Sequence, residues 1–472
     1  MTRKIIIKTF TTPKSNYIYD RETNSILPVT LDEFEVCKKI EDGTASIDDL
    51  EYLKHYINIG YLKETQLKEI EHPSSSMMPS YLKNHINHIT LQVTQDCNLR
   101  CSYCAYGGDY TQRTHDDKSM SLDIMKQSID FVMRHSRKSK ELIVSFYGGE
   151  PMLAIDSIKE CVSYISNNYL GKQIKYAITT NGTLFELDAI TFLEENEFDI
   201  HISLDGPEKL HNVNRRFSNG EGSFDKIISN ISRIKNDFPG FYKKIGFMTT
   251  VAPNVDLSCI NDFYAADLIL KENNTMVNTI NAYGSKEEVV YDDMYFISYT
   301  YEVMKVLLSN IGIYTGDTSK LYDRYMSDLE KTWKNLSKSI LTEKAHPGGP
   351  CLPGITRLFI AVDGTIYPCE RVSETTQGMK IGDIYTGFDM EKVLNILNIG
   401  KITEDACKVC WNFFECRLCV AACDKDGSFS KEERLKNCES AKQIALNKYL
   451  NICMLLENGY NFETQKLSER GA

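Results

Sequence analysis

Three cysteines fall within eight residues of VTQDCNLRCSYCAYGGD, at Cys97, Cys101 and Cys104. The C-x-x-x-C-x-x-C spacing follows an apolar run directly, so three thiolates can face one side of a loop. A 4Fe–4S cluster takes four protein ligands when fully coordinated, so three leave one iron open to something else. Eight more cysteines lie further on: Cys351, Cys369, Cys407, Cys410, Cys416, Cys419, Cys423 and Cys438. That number fills two further clusters completely. Cys37, Cys161, Cys259 and Cys453 stand alone, and each is expected to be a small buried hydrophobe. A zinc site is the competing reading of the first group, but it needs a nearby fourth Cys or His, and His115 is the only close candidate. Fifteen cysteines with no export signal are not expected to form a disulfide framework, which belongs mainly to small secreted domains.

The elements that must position these groups follow from periodicity. Residues 4 to 12 and 16 to 29 are β-rich runs broken by turn formers at Asp20 to Ser25, predicting a short three-stranded unit. Thr30 and Ser46 can each cap a following helix, and Ile47, Leu50, Leu53, Tyr56 and Ile57 share one helical face in the second. EHPSSSMMPS, residues 71 to 80, reads as a linker. From His88 to about residue 340, strand-like runs alternate with helical ones, which implies a parallel sheet or barrel with helices outside. In such folds reactive groups collect at the carboxyl ends of the strands. Residues 347 to 438 are rich in Cys and Gly with few long periodic segments, so metal is expected to hold this part together in place of a large core.

Composition narrows the function classes. The formal net charge of -11 argues against a surface built to neutralise phosphates, so a nucleic-acid partner is not expected. No apolar run reaches the length of a membrane helix, and MTRKIIIKTF is too short in apolar residues for a signal peptide. The expectation is a cytoplasmic protein of two or three domains.

Further motifs stand at the predicted strand ends. SFYGGEP carries Gly148, Gly149 and Glu150, TTNGT carries Asn181, HISLDGP carries Ser203, and Arg215 follows shortly after. Together with Tyr103 before the third cysteine, this order resembles the radical SAM family over residues 88 to about 340. The resemblance implies that the open iron chelates S-adenosylmethionine and that an electron from the cluster breaks its sulfonium bond, releasing a 5′-deoxyadenosyl radical. It further implies that Gly148, Gly149 and Glu150 grip the methionine amino group, that Asn181 and Ser203 contact ribose and carboxylate, and that Arg215 serves the cofactor carboxylate. A planar guanidinium suits that last task.

The eight later cysteines, with Gly364 five positions before Cys369, resemble the SPASM domain, which holds two auxiliary 4Fe–4S clusters. By that analogy Cys351, Cys369 and Cys423 belong to an inner cluster and Cys407, Cys410 and Cys438 to an outer one. CKVCWNFFECRLCVAAC departs from the usual core by one extra cysteine, and Cys416 and Cys419 are left to be divided between the two. Glu370 stands where related sulfatase-maturating enzymes carry an acidic residue near the substrate. It is either a general base or a salt-bridge partner of Arg371 or a neighbouring lysine.

The size and pattern of the N-terminal part resemble a winged-helix-like RiPP recognition element, a module that holds a leader peptide by adding it as a strand to a sheet edge. A structural cap is the plain alternative. The expected fold is therefore α/β: a partial (β/α)6 TIM-like barrel with that N-terminal module and a C-terminal Cys-rich SPASM domain. The expected boundaries are 1–78, 84–340, 345–440 and a helix and tail over 441–472. The family analogy implies a maturase of a ribosomally made, Cys-rich precursor peptide with a leader, forming thioether crosslinks and reduced by a flavodoxin or ferredoxin. Carbon–carbon crosslinking, formylglycine formation on a sulfatase, and a non-catalytic iron–sulfur electron carrier are the alternatives.

Overall fold

The computed structural model describes residues 4–463, apart from 108, 109, 114, 267, 268, 271, 281, 282, 319–321, 339, 349 and 350. Strands β1 (Ile7–Thr11), β2 (Asn16–Asp20) and β3 (Ser25–Val29) form an antiparallel sheet in that order, as the alternation predicts. Its second turn is fixed by Asp20, whose carboxylate accepts from the backbone N–H of Glu22 and of Leu62. Thr30 opens the helix Leu31–Glu41 with a capping box to Glu33, and Ser46 opens Ile47–Tyr52 with one to Asp49.

The second helical pattern does not run through. It breaks at Leu53, and a separate helix covers Lys54–Asn58. Leu53 is buried, whereas Ile47, expected on the same face, is 85% exposed. The break rotates the second piece so that the two halves no longer share one stripe. Residues 71 to 80 also differ from a plain linker: they hold a 3-10 turn at Ser75–Met77 and the start of a helix, Met78–Asn84, with Met78 fully buried.

After β4 (Glu69–Ile70) come six parallel strands in simple sequence: β5 (His88–Thr94), β6 (Glu141–Gly148), β7 (Gln173–Thr180), β8 (Asp199–Ser203), β9 (Ile245–Val251) and β10 (Thr275–Thr279). Helices such as Leu122–His135, Ile155–Asn168, Leu187–Glu195 and Phe224–Asp237 connect them. On β6 every second residue is buried, Leu142, Val144 and Phe146 facing the core. This is the α/β partial barrel anticipated from the alternation.

The barrel sheet continues into the cysteine-rich part. β11 (Lys344–Ala345) pairs with β4; β12 (Phe359–Ile360) then adds in parallel to the outer edge of β5, and β13 (Thr365–Tyr367), β14 (Gly382–Asp383) and β15 (Gly387–Phe388) follow antiparallel. This corrects the expectation that metal stands in for a core there. Leu358, Phe359, Ile360, Ile366, Met379, Ile381, Val393 and Leu397 are all buried and join the barrel's own apolar cluster. Short runs with irregular spacing hid this core, because each contributes only two or three inward residues. The helix Cys438–Glu457 closes the fold and stacks Tyr449 on Tyr19 of β2, ring centroids 4.6 Å apart.

Candidate active site

The loop leaving β5 carries the first three cysteines across the carboxyl ends of the parallel strands. Within it the Cys104 N–H donates to Cys101 O (3.1 Å) and the Gly107 N–H to Cys104 O (2.7 Å), which winds Cys101 and Cys104 into one turn. The loop is strapped on its far side by Arg100 N to Arg216 O (2.7 Å) and Ser102 N to Asn214 O (3.0 Å). On its near side lie Gly148 and Gly149 at the end of β6. The Gly149 N–H donates to Thr94 O and the Glu150 N–H to Asp96 O. A Cβ on Gly148 would stand 2.1 Å from Thr94 O, and one on Gly149 2.1 Å from Asp96 O. Glycine is required here because two backbones touch.

Glu150 is fully buried, and its carboxylate accepts from Met152 N (3.0 Å), Thr180 Oγ1 (2.6 Å) and Asn181 N (2.7 Å). Burial pushes its carboxyl up to about 7 against the pull of those donors. The side chain thus ties β6 to β7. Asn181 gives its amide to Asn98 Oδ1 (2.8 Å) and lies 3.9 Å from the Cys97 sulfur. Its own Oδ1 accepts from the Thr183 N–H and hydroxyl. It therefore steadies the cysteine loop directly. Ser203 ends β8, nearly buried, beside Met248 of β9.

Asp205, two residues beyond Ser203, went unremarked in the sequence and is the polar hub of the site. It accepts from Arg215 Nε (2.9 Å), from the Tyr103 hydroxyl and from Thr250 N (3.0 Å). The Arg215 guanidinium lies 5.3 Å from the Tyr103 ring centroid and is the cation that acts on the Cys101 thiol. Arg215 is buried and Tyr103 half-buried. The clue in the sequence was an acid, an aromatic and an arginine at three loop ends, which spacing alone cannot connect.

These residues fit an iron–sulfur cluster. The donors are three thiols with no carboxylate among them, and each sulfur edge meets N–H groups: Leu99 N reaches Cys97 at 3.4 Å, and Arg215 faces Cys101. Burial pushes the thiols of Cys97 and Cys101 up, to about 12 and about 11, so cationic iron must displace the protons when it binds. His115, the fourth-ligand candidate of the zinc alternative, meets Gln95 O at 3.4 Å through Nδ1 and keeps its buried Nε2 without a protein partner among the described residues. Among the described residues no three His, Cys, Asp or Glu side chains gather tightly enough for a single ion.

A second polar cluster joins this loop to the cysteine-rich part. Arg113 is buried, ion-paired with Glu374 (2.9 Å), and donates to the carbonyls of Glu370 (2.6 Å) and Val372 (3.1 Å). Gln92 of β5 bridges Glu374 and the Tyr106 hydroxyl. Glu370 is ion-paired with Arg357, while Arg371 stands 3.8 Å away. Glu370 thus pairs with Arg371, the partner expected from the sequence, and also with Arg357, which the sequence did not single out.

Seven of the eight later cysteines have electrostatic neighbours among themselves. Cys410 feels Cys407 and Cys416, Cys416 feels Cys407 and Cys438, and Cys438 feels Cys407. Cys369 and Cys423 each feel Cys419. A 3-10 turn at Val420–Cys423 brings the Cys423 thiol to 3.6 Å from Cys419 O. Cys351 is exposed. Of the four solitary cysteines, Cys37, Cys161 and Cys453 are buried as expected, but Cys259 is exposed on the helix Leu257–Ala266, where it falls on the solvent side of the amphipathic pattern.

Residues 91–265 match the radical SAM superfamily. A cysteine-type anaerobic sulfatase-maturating enzyme of Clostridium perfringens (strain ATCC 13124) is 23% identical over 371 residues, which are 75% of this chain and 93% of that enzyme. A namesake of Clostridium novyi is 34% identical over 144 residues, 29% of this chain and 37% of its own length. An uncharacterized protein of Methanocaldococcus jannaschii is 30% identical over 178 residues, 38% of this chain and 57% of its own. The chain thus spans about half or less of the length of these last two relatives. Among solved structures, anSMEcpe with bound AdoMet superposes with a TM-score of 0.57 at 20% identity, covering 78% of this chain and 99% of that one, and so has the same fold. No described helix is long and apolar enough to cross a membrane. Residues 91–265 thus carry a radical SAM domain, and the chain is similar to the anaerobic sulfatase-maturating enzymes.

Proposed function

We propose that this enzyme reductively cleaves S-adenosylmethionine and uses the resulting 5′-deoxyadenosyl radical on a ribosomally made precursor peptide, forming thioether crosslinks. The observation that carries the first half is the three-cysteine loop seated at the strand ends against Asp205, Arg215 and Tyr103. A 4Fe–4S cluster held by Cys97, Cys101 and Cys104 supplies the electron for that cleavage. The chain's own residues hold the loop in place: Gly149 and Glu150 by backbone, Asn181 through Asn98, and Arg215 as the cation facing Cys101. Gly148, Ser203, Tyr103 and Arg215 line our proposed cofactor side, and Glu370, steadied by Arg357, our proposed proton acceptor on the peptide side.

Peptide as the substrate class is supported by a related structure described as bound to a Cp18Cys peptide. A leader-binding role for residues 1–78 is supported by their small antiparallel sheet. A groove of about 1500 Å3 opens beside β1, lined by Ile5, Ile7, Ile40, Leu50, Trp411 of the cysteine-rich part and Leu446 of the closing helix. We read residues 84–340 as the radical-forming core and 345–440 as a SPASM domain, followed by the closing helix. The proximities above favour an outer set of Cys407, Cys410, Cys416 and Cys438 and an inner set holding Cys369, Cys419 and Cys423, to which the SPASM resemblance adds Cys351. Flavodoxin or ferredoxin is the proposed reductant, in the cytoplasm. Sulfatase maturation is the second reading, favoured by the names of the relatives.

The test is anaerobic incubation of iron-loaded protein with S-adenosylmethionine and dithionite. 5′-Deoxyadenosine is expected from the native chain and none when Cys97, Cys101 and Cys104 are all changed to Ala. A loaded native chain that makes none sinks the proposal. Peptides with a Cys-rich core and a leader, set against a sulfatase-derived peptide, then separate the two readings by mass.

A further inference from the structure

Arg434 is the most deeply buried cation of the cysteine-rich part, 1% exposed, and among the described residues no carboxylate pairs with it. Its surroundings are sulfur and oxygen. Nη1 donates to the Cys423 sulfur (3.5 Å) and to Leu418 O (3.0 Å). Nε donates to Thr403 Oγ1 (3.2 Å), and that hydroxyl lies 3.3 Å from the Cys407 sulfur. Nη2 is buried with no partner. The electrostatic partners of the guanidinium are Cys423, Cys416 and Cys407. Those three thiols belong to both of the sets proposed above, so the residue stands between them. A buried guanidinium without an anion is costly, and so is an unsatisfied N–H. Both costs disappear when negatively charged iron–sulfur groups occupy the two sets. Net charge and hydrogen bonds to sulfur are among the factors that set the reduction potential of such a cluster.

We propose that Arg434 is a shared positioning residue of the two auxiliary cluster sites, donating to the sulfur of one and, through Thr403, to that of the other, and raising the reduction potentials of both. This rests on the two-cluster reading of the eight cysteines. The unpartnered Nη2 is the donor reserved for a sulfide or thiolate. One cation between two anionic groups also couples them. Reducing either cluster adds negative charge beside the same guanidinium and makes the second reduction harder.

The experiment uses the full chain with Cys97, Cys101 and Cys104 changed to Ala, so that only auxiliary signals remain, and compares Arg434 with R434Q and R434K. Iron and sulfide content are measured first, then midpoint potentials by redox titration followed by electron paramagnetic resonance. If the chain with Arg434 intact holds no auxiliary iron, the two-cluster reading fails, independently of Arg434. With iron present, loaded R434Q is expected to shift both midpoints to more negative values, and R434K to shift them less. Native midpoints in loaded R434Q, or a shift at one cluster alone, overturn the proposal. Should R434Q not load, R434K decides: a loaded protein with a negative shift supports the proposal. Native midpoints in R434K, or loss of iron from it as well, mark Arg434 as a packing residue and overturn it.

Discussion

Asp205 touches Arg215, Tyr103 and Thr250 at once, and its removal leaves a buried guanidinium alone beside Cys101. Breaking one partner of a buried pair costs about 3–5 kcal/mol, whereas losing one hydroxyl bond to a carboxylate costs about 1.5–3 kcal/mol. D205N is therefore expected to lower unfolding stability in urea more than Y103F, and to lose iron from the first site. Equal effects from the two would place the hub elsewhere. His346 makes a second residue-scale case. Its Nδ1–H points at Pro347 O (3.0 Å) and its Nε2 accepts from Gly400 N (2.8 Å), so protonation removes an acceptor. Burial holds it down to about 3. Because the folded value lies below the unfolded one, near 6.5, this contribution is complete above pH 6.5 and is lost as the pH falls toward 3. Urea midpoints of the metal-free chain are expected to decline over that window and to decline less in H346Q, whose amide can both donate and accept. The cysteines and the GGE turn were legible because type and short spacing define them. Asp205, Arg113 and Arg434 were not, since a buried pair between distant loop ends leaves no periodic mark.

At the scale of elements, the junction of β5 and β6 sets the geometry of the site. G149A places a methyl against the Asp96 carbonyl, a backbone group that cannot rotate away. The strands must part, at roughly 1–3 kcal/mol, and the cysteine loop moves with them. The expected result is a folded chain, by circular dichroism, that has lost the first cluster's signal and kept the auxiliary ones. Native S-adenosylmethionine turnover in G149A would show that the close approach is dispensable. The parallel strands of the barrel and their helices were readable because each has five or more residues and a clear period. Two-residue strands such as β12 and β14 carry no period, and the break at Leu53 falls inside an otherwise regular helical pattern, so neither was visible in advance.

Seen whole, the molecule has one sheet running from the barrel into the cysteine-rich part. β12 covers the outer edge of β5, and Arg113, Gln92 and Glu374 fasten the same seam from the site side. A chain ending at residue 345 is expected to aggregate, since it exposes a long apolar strand edge; light scattering on the purified fragment checks this. A monodisperse fragment would mean that the edge is protected by other means. The seam was hidden because it joins residues more than 250 positions apart in the chain, as between Arg113 and Glu370.

One contact made at the opposite end of the chain extends the same logic. Arg21, fully buried at the end of β2, donates to Lys408 O (2.6 Å) inside the Cys407–Cys410 turn. An engineer wishing to redirect such an enzyme would exchange the first seventy or so residues for those of another chain, as if they were an interchangeable adaptor. Here those residues also brace the turn that carries Cys407 and Cys410. A chimera must bring an arginine to that carbonyl, or its altered specificity and its iron content will change together.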